Sequence, residues 1–177
     1  PTAAPAIYGA GTSNSGVYTI SWTGVAGTTI YNLVESANGG GWQQVMYAAT
    51  GSWTASSKPN GNYVYMVQGC NASGCGPWSA QAAVSVVLVP PPPTSVWIND
   101  EWINPWREAR TLMWTESPNA TYYQVYNLST QQMYLSNVSP DKREVMVENG
   151  EPPLSYHAFQ VRACNAVGCS AWVSSSG

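Results

Sequence analysis

One seven-residue phrase occurs twice in this chain and uses up all four of its cysteines: Gly-Cys-Asn-Ala-Ser-Gly-Cys at Gly69 to Cys75, and Ala-Cys-Asn-Ala-Val-Gly-Cys at Ala163 to Cys169. A tryptophan follows each copy at the same distance, Trp78 and Trp172. A pattern repeated at long period is two copies of one folding unit. The repeat extends upstream. Tyr-Thr-Ile-Ser-Trp-Thr (Tyr18 to Thr23) answers Arg-Thr-Leu-Met-Trp-Thr (Arg110 to Thr115). Thr29 to Val34 matches Tyr122 to Tyr126, and Tyr63 to Gln68 matches His157 to Arg162. Between the copies runs Val89-Pro90-Pro91-Pro92-Pro93-Thr94, which cannot join a sheet ladder. At about 3.1 Å per residue these prolines form a stiff strut of roughly 12 Å. The expected division is a first domain at 1–88, a linker at 89–94 and a second domain at 95–177.

Each unit reads as strands. Tyr18, Ile20 and Trp22 alternate with Thr19, Ser21 and Thr23, and Tyr63, Tyr65 and Val67 alternate with Val64, Met66 and Gln68. Period-two alternation bounded by Gly, Asn, Ser and Pro predicts antiparallel β-sandwiches, and no helical period competes. Trp22 and Trp114 share the inward register of Ile20 and Leu112. Arg162 faces outward, where it is expected to lie over Trp172 on the neighbouring strand.

The cysteines are expected to pair as Cys70–Cys75 and Cys164–Cys169. If the first ends a strand and the second begins its hairpin partner, their Cβ atoms face each other across the ladder. So short a loop contributes roughly 2 kcal/mol by chain entropy. A shared zinc site fits poorly, because zinc pairs are usually closer and these pairs sit on different units. Neither metal nor cofactor is expected. Two oxidised pairs point to an oxidising compartment: secreted, periplasmic or cell-surface.

With strands, staples and tryptophans in place, each unit resembles a bacterial fibronectin type III repeat. The resemblance is carried by Ile-Ser-Trp-Thr (Ile20 to Thr23), by Tyr-x-Tyr-x-Val-x-Gly-Cys-Asn (Tyr63 to Asn71), and by Gly-Pro-Trp-Ser (Gly76 to Ser79), answered by Ser170-Ala171-Trp172. It is similar to repeats in large secreted proteins, including Rhs/YD-repeat proteins and polysaccharide-degrading enzymes. The resemblance covers nearly all of 1–88 and Arg110 to Trp172, and is weak from Thr94 to Glu108. It implies two tandem immunoglobulin-like, all-β sandwiches, seven strands apiece, with a spacing or binding role and no catalysis. In this family a tyrosine corner belongs at Tyr63. The second unit has His157 there, the only histidine of the chain, read as a substituted corner residue beside Tyr156.

Charge narrows the partners. From Pro1 to Pro93 only Glu35 and Lys58 are charged, and the remainder of the chain carries the net −3. No basic patch suits nucleic acid, and no apolar run of membrane-spanning length occurs. Pro1 reads as the start of an excised fragment, and no leader precedes it. The expected partners are neighbouring domains of a larger protein, with a polysaccharide or a surface protein as alternatives. Asp141, Glu144, Glu148 and Glu151, interleaved with Lys142 and Arg143, read as a solvated loop and strand face.

The second unit opens on Trp97-Ile98-Asn99-Asp100-Glu101-Trp102-Ile103-Asn104-Pro105-Trp106, three tryptophans without counterparts in the first unit. Indole faces stack on the C–H faces of pyranose rings, and Asp100 and Glu101 could bond the hydroxyls. Trp97, Trp102, Trp106, Asp100 and Glu101 are therefore candidate ligand residues, together with Trp42, expected to be exposed beside Gly39-Gly40-Gly41. The alternative is structural: an odd spacing of five puts Trp97 and Trp102 on opposite faces of a regular strand, unless Pro105, a turn or a bulge redirects it. Trp53, in a short strand, is expected to be buried.

Overall fold

The computed structural model describes residues 1–9, 11–104, 107–150 and 157–176, apart from the side chains of Trp102, Ile103, Arg107, Asn149 and Gly150. Two compact units divide the chain, Pro1–Leu88 and Val89–Gly177. Among the described residues both are built of strands and turns alone.

In the first unit, β1 (Ile7–Tyr8), β3 (Tyr18–Trp22) and β6 (Ser52–Ala55) form one sheet in the order β1-β3-β6. Opposite it lie β2 (Gly11–Ser13), β9 (Ala82–Val86), β7 (Gly61–Asn71), β4 (Ile30–Ala37) and β5 (Gln43–Ala48), in the order β2-β9-β7-β4-β5, with β8 (Gly74–Trp78) also on β7. Among the described residues its nine strands exceed the seven implied by the resemblance. The opening segment serves both sheets, since β1 pairs antiparallel with β3 and β2 pairs parallel with β9. The closing segment likewise splits, with β8 and β9 each pairing a different stretch of β7. Alternation drives the core: Tyr18, Ile20, Trp22, Leu33, Tyr65, Val67 and Val84 are all buried. Asn38 and Gly39, at φ 52° and 74°, turn β4 toward β5.

The second unit pairs β10 (Val96–Asn104), β11 (Arg107–Trp114) and β14 (Glu144–Gly150) in one sheet. The other holds β13 (Gln132–Val138), β12 (Tyr122–Asn127), β15 (Phe159–Cys164) and β16 (Val173–Ser174), in that order. Leu112, Trp114, Tyr123, Val125, Phe159 and Val161 fill its core. The stretch where the resemblance is weak is a long hairpin, β10 against β11, in place of the two-residue β1 of the first unit. Its tip, with Pro105 and Trp106, lies outside the described residues.

Both staples form as expected, Cys70–Cys75 and Cys164–Cys169, each with Cα atoms 4.0 Å apart. The first closes the β7–β8 hairpin, in which Asn71 faces Gly74 and Gly74 supplies φ 127°. The second closes an isolated bridge between its own two cysteines. Trp22 and Trp114 are core residues, and each packs a tyrosine in the same tilted geometry: Tyr31 at 5.6 Å and Tyr123 at 5.5 Å. Each of those hydroxyls accepts a loop N–H, from Val25 at 3.0 Å and Ser117 at 2.8 Å. A buried polar handle on an aromatic ring needs such a partner. Arg162 lies 4.3 Å from the Trp172 ring centroid, as its outward register requires.

Candidate functional site

The first unit spends its charge internally. Glu35 follows Leu33 on the inward register of β4, so its carboxylate enters the core. Lys58 reaches it at 2.6 Å, the Tyr65 hydroxyl donates to its Oε2 at 2.6 Å, and the Tyr18 and Tyr65 hydroxyls bond each other at 2.6 Å. The ammonium also lies 5.1 Å from the Tyr63 ring centroid and 5.9 Å from that of Trp53. Burial, with the hydrogen bond to Glu35 added, pushes the Tyr65 phenol far above its ordinary range, and burial raises Tyr18 as well. Tyr63 donates to the Pro59 carbonyl at 2.9 Å, closing the corner expected of it. Trp53 is half-buried and packs against Tyr65. Trp42 is 41% exposed, just ahead of β5.

The equivalent place in the second unit holds different chemistry. Arg110 occupies the repeat position of Tyr18 and points inward with Leu112 and Trp114. Its side chain is 5% exposed, with Nε 2.8 Å from Asp100 Oδ1 and Nη1 3.1 Å from Glu148 Oε2. His157 Nδ1 lies 2.7 Å from the other Glu148 oxygen, Oε1. Burial works to lower the Arg110 pKa, but the hydrogen bonds and charges of Asp100 and Glu148 outweigh it and hold the guanidinium charged. Glu148 thus departs from the expectation of a solvated face: β14 crosses β11 opposite Arg110, and a carboxylate there joins Asp100 in compensating the buried guanidinium. Sequence reasoning did not single out Arg110. The signal was available, since a charge alternating inward with Leu112 and Trp114 demands partners.

The outward face of the β10-β11-β14 sheet carries Trp97 and Glu101. Trp97 is half-buried and stands opposite Met113, which stands opposite Glu144. A hollow of about 500 Å³ opens beside this row, lined by Trp97, Met113 and the turn carrying Asp141, Lys142 and Arg143. A second hollow of about 600 Å³ shares Lys142 and Glu144 and reaches Thr111, Asn137 and Met146. Asp100 is engaged by Arg110, whereas Glu101 is exposed. Register runs without interruption from Trp97 to Trp102, which stands opposite Glu108, and shifts between Trp102 and Asn104. The Trp102 side chain and all of Trp106 lie outside the described residues. The arrangement therefore brings Trp97 to a hollow, places Asp100 in an ion cluster, and leaves Trp42 in the other unit.

No family model matches the chain, and no curated protein matches it. Solved structures do. A two-domain fibronectin type III segment of chicken tenascin aligns with 96% of this chain and 96% of its own length, at a TM-score of 0.50 and 13% identity. The FN1–FN3 domains of chicken CNTN1 align with 98% of this chain at 18% identity and a TM-score of 0.43, and this chain spans 64% of that segment. A structure named FN3tt mut covers 50% of this chain at 28% identity, with a TM-score of 0.41. The fold is that of tandem fibronectin type III sandwiches.

Proposed function

We propose that the chain is a non-catalytic spacing and docking module of a larger secreted or surface bacterial protein, one that holds and presents the domains on either side of it. The observation that carries this reading is the fate of the charge in the first unit. Its only ionisable acid and base besides tyrosine are joined at 2.6 Å inside the sandwich, so its working surface is neutral and wet. A body of that kind suits separation better than acid–base chemistry, which needs titratable groups held in reach of a substrate. The two disulfides support life in an oxidising compartment, and the tenascin segment supports the tandem arrangement as a fold.

The test is the distance distribution between the units in solution. With Pro90 to Pro93 intact, small-angle scattering should fit a narrow set of inter-domain separations. Replacing the four prolines by glycine and serine should broaden that set, because the polyproline segment loses its stiffness. Equal breadth in both proteins would remove the spacing role.

A further inference from the structure

The geometry points to a saccharide subsite in the hollow between Trp97 and the turn that leads into β14, accepting one neutral pyranose unit of a polysaccharide. The hollow, at about 500 Å³, has the size of a small-ligand pocket. Its floor is apolar, Trp97 beside Met113, and its rim is polar, Asp141, Lys142, Arg143 and Glu144. A pyranose has the matching division: one face of C–H groups that buries well on an indole, and a ring of hydroxyls that both donate and accept. Asp141, Lys142 and Glu144 are exposed and enter no ion pair among the described residues, so their heads are free to meet hydroxyls. Arg143 is partly committed to Glu116, at 3.1 Å.

The balance of charge selects the occupant. Two carboxylates and two cations line the rim, so the site offers acceptors and donors without a net field. With the two carboxylates offsetting the two cations, a phosphate or a polyuronate gains no net attraction, whereas a neutral polyol uses carboxylate acceptors and the Lys142 donor together. The first unit supplies an internal control. The same ladder row there reads Tyr8, Ser21 and Ser52, with Tyr8 58% exposed and no charged side chain in the row.

Affinity electrophoresis of the oxidised two-unit chain tests this, with xylan, mannan or mixed-linkage β-glucan in the gel and alginate as the anionic comparison. The expected result is retardation by at least one neutral polysaccharide. Trp97→Ala should bind about tenfold more weakly, the double substitution Lys142→Ala with Glu144→Ala should also weaken binding, and Tyr8→Ala should leave it unchanged. Because Lys142 and Glu144 are exposed, the double variant decides the matter even if Trp97→Ala fails to fold. Absence of retardation in every neutral gel overturns the subsite. So does retardation that survives both the Trp97 and the double variants, or that is strongest in alginate. None of these outcomes bears on the inter-domain distances that test the spacing role.

Discussion

Lys58 and Glu35 show how much a single pair can decide in a domain so poor in charge. A carboxylate buried beside two tyrosines is tolerable only while its cation and its hydroxyl donor remain. Lys58→Met should therefore lower the stability of the first unit by on the order of 3 kcal/mol, because it strands Glu35 rather than because the pair itself is worth that much. Urea unfolding of the variant, alone and combined with Glu35→Gln, checks it: the double variant should recover part of the loss. Tyr65→Phe should cost about 1–3 kcal/mol by removing the hydroxyl that bonds both Glu35 and Tyr18. Phe159, at the same repeat position of the second unit, faces Asn127 rather than a carboxylate and needs no such donor.

The same tyrosines give the first unit an alkaline limit. Tyr65 and Tyr18 hold their protons in the fold above the ordinary value of 10.0. Above that pH the unfolded chain binds fewer protons than the folded one, so stability is intact below it and falls as pH rises further. Urea midpoints followed from about pH 8 to about pH 11 should drop for the wild-type first unit and drop less for Tyr65→Phe. An equal slope in both would mean that Tyr65 is not the group responsible.

At the level of elements, the two staples are chemically alike but differently supported. Cys70–Cys75 lies within a paired hairpin in which Gln68 faces Trp78 and Asn71 faces Gly74, whereas Cys164–Cys169 closes a single bridge. Loop entropy assigns each about 2 kcal/mol, so reduction should lower both melting transitions without abolishing folding. The second unit should lose local order around Cys169 first, a difference that amide exchange with and without reductant would register as earlier deprotection after Cys164 than after Cys70.

Which elements could be read from the chain follows from the range of the interactions that define them. Strands β3, β7, β11 and β15, the core tryptophans and both disulfides are fixed by alternation and short spacing, and these were legible. The Arg162–Trp172 contact was legible for the same reason, since it spans one hairpin. The Arg110 cluster was not, because Asp100 and Glu148 reach Arg110 from strands on either side of it, and a run of mixed charge resembles a solvent face until register is known. The split of the opening segment into β1 and β2 was also hidden: it depends on which sheet edge is vacant, a property of the assembled sandwich. Of the candidate site, the sequence marked Trp97 but not its companions in the turn before β14, which meet it only through the β11–β14 pairing.

For the whole molecule, the uneven charge has a colloidal consequence. The first unit has one acid and one base, joined to each other, and so presents no net repulsion to another copy at neutral pH. Its sheet ends on β5, whose Gln43 to Ala48 carries neither charge nor proline, with Tyr47 53% exposed. An edge of that composition lacks the usual protections against strand pairing, apart from the register shift opposite Leu33 and Val34. The second unit carries the net negative charge, and like charge opposes association. Raising salt screens that charge and should increase self-association, which light scattering at rising protein concentration would detect. Placing lysines on the edge, by Gln43→Lys with Tyr47→Lys, should suppress the association at the same salt while leaving the melting temperature close to that of the wild type. Association unchanged by these substitutions would move its cause away from β5 and onto the second unit.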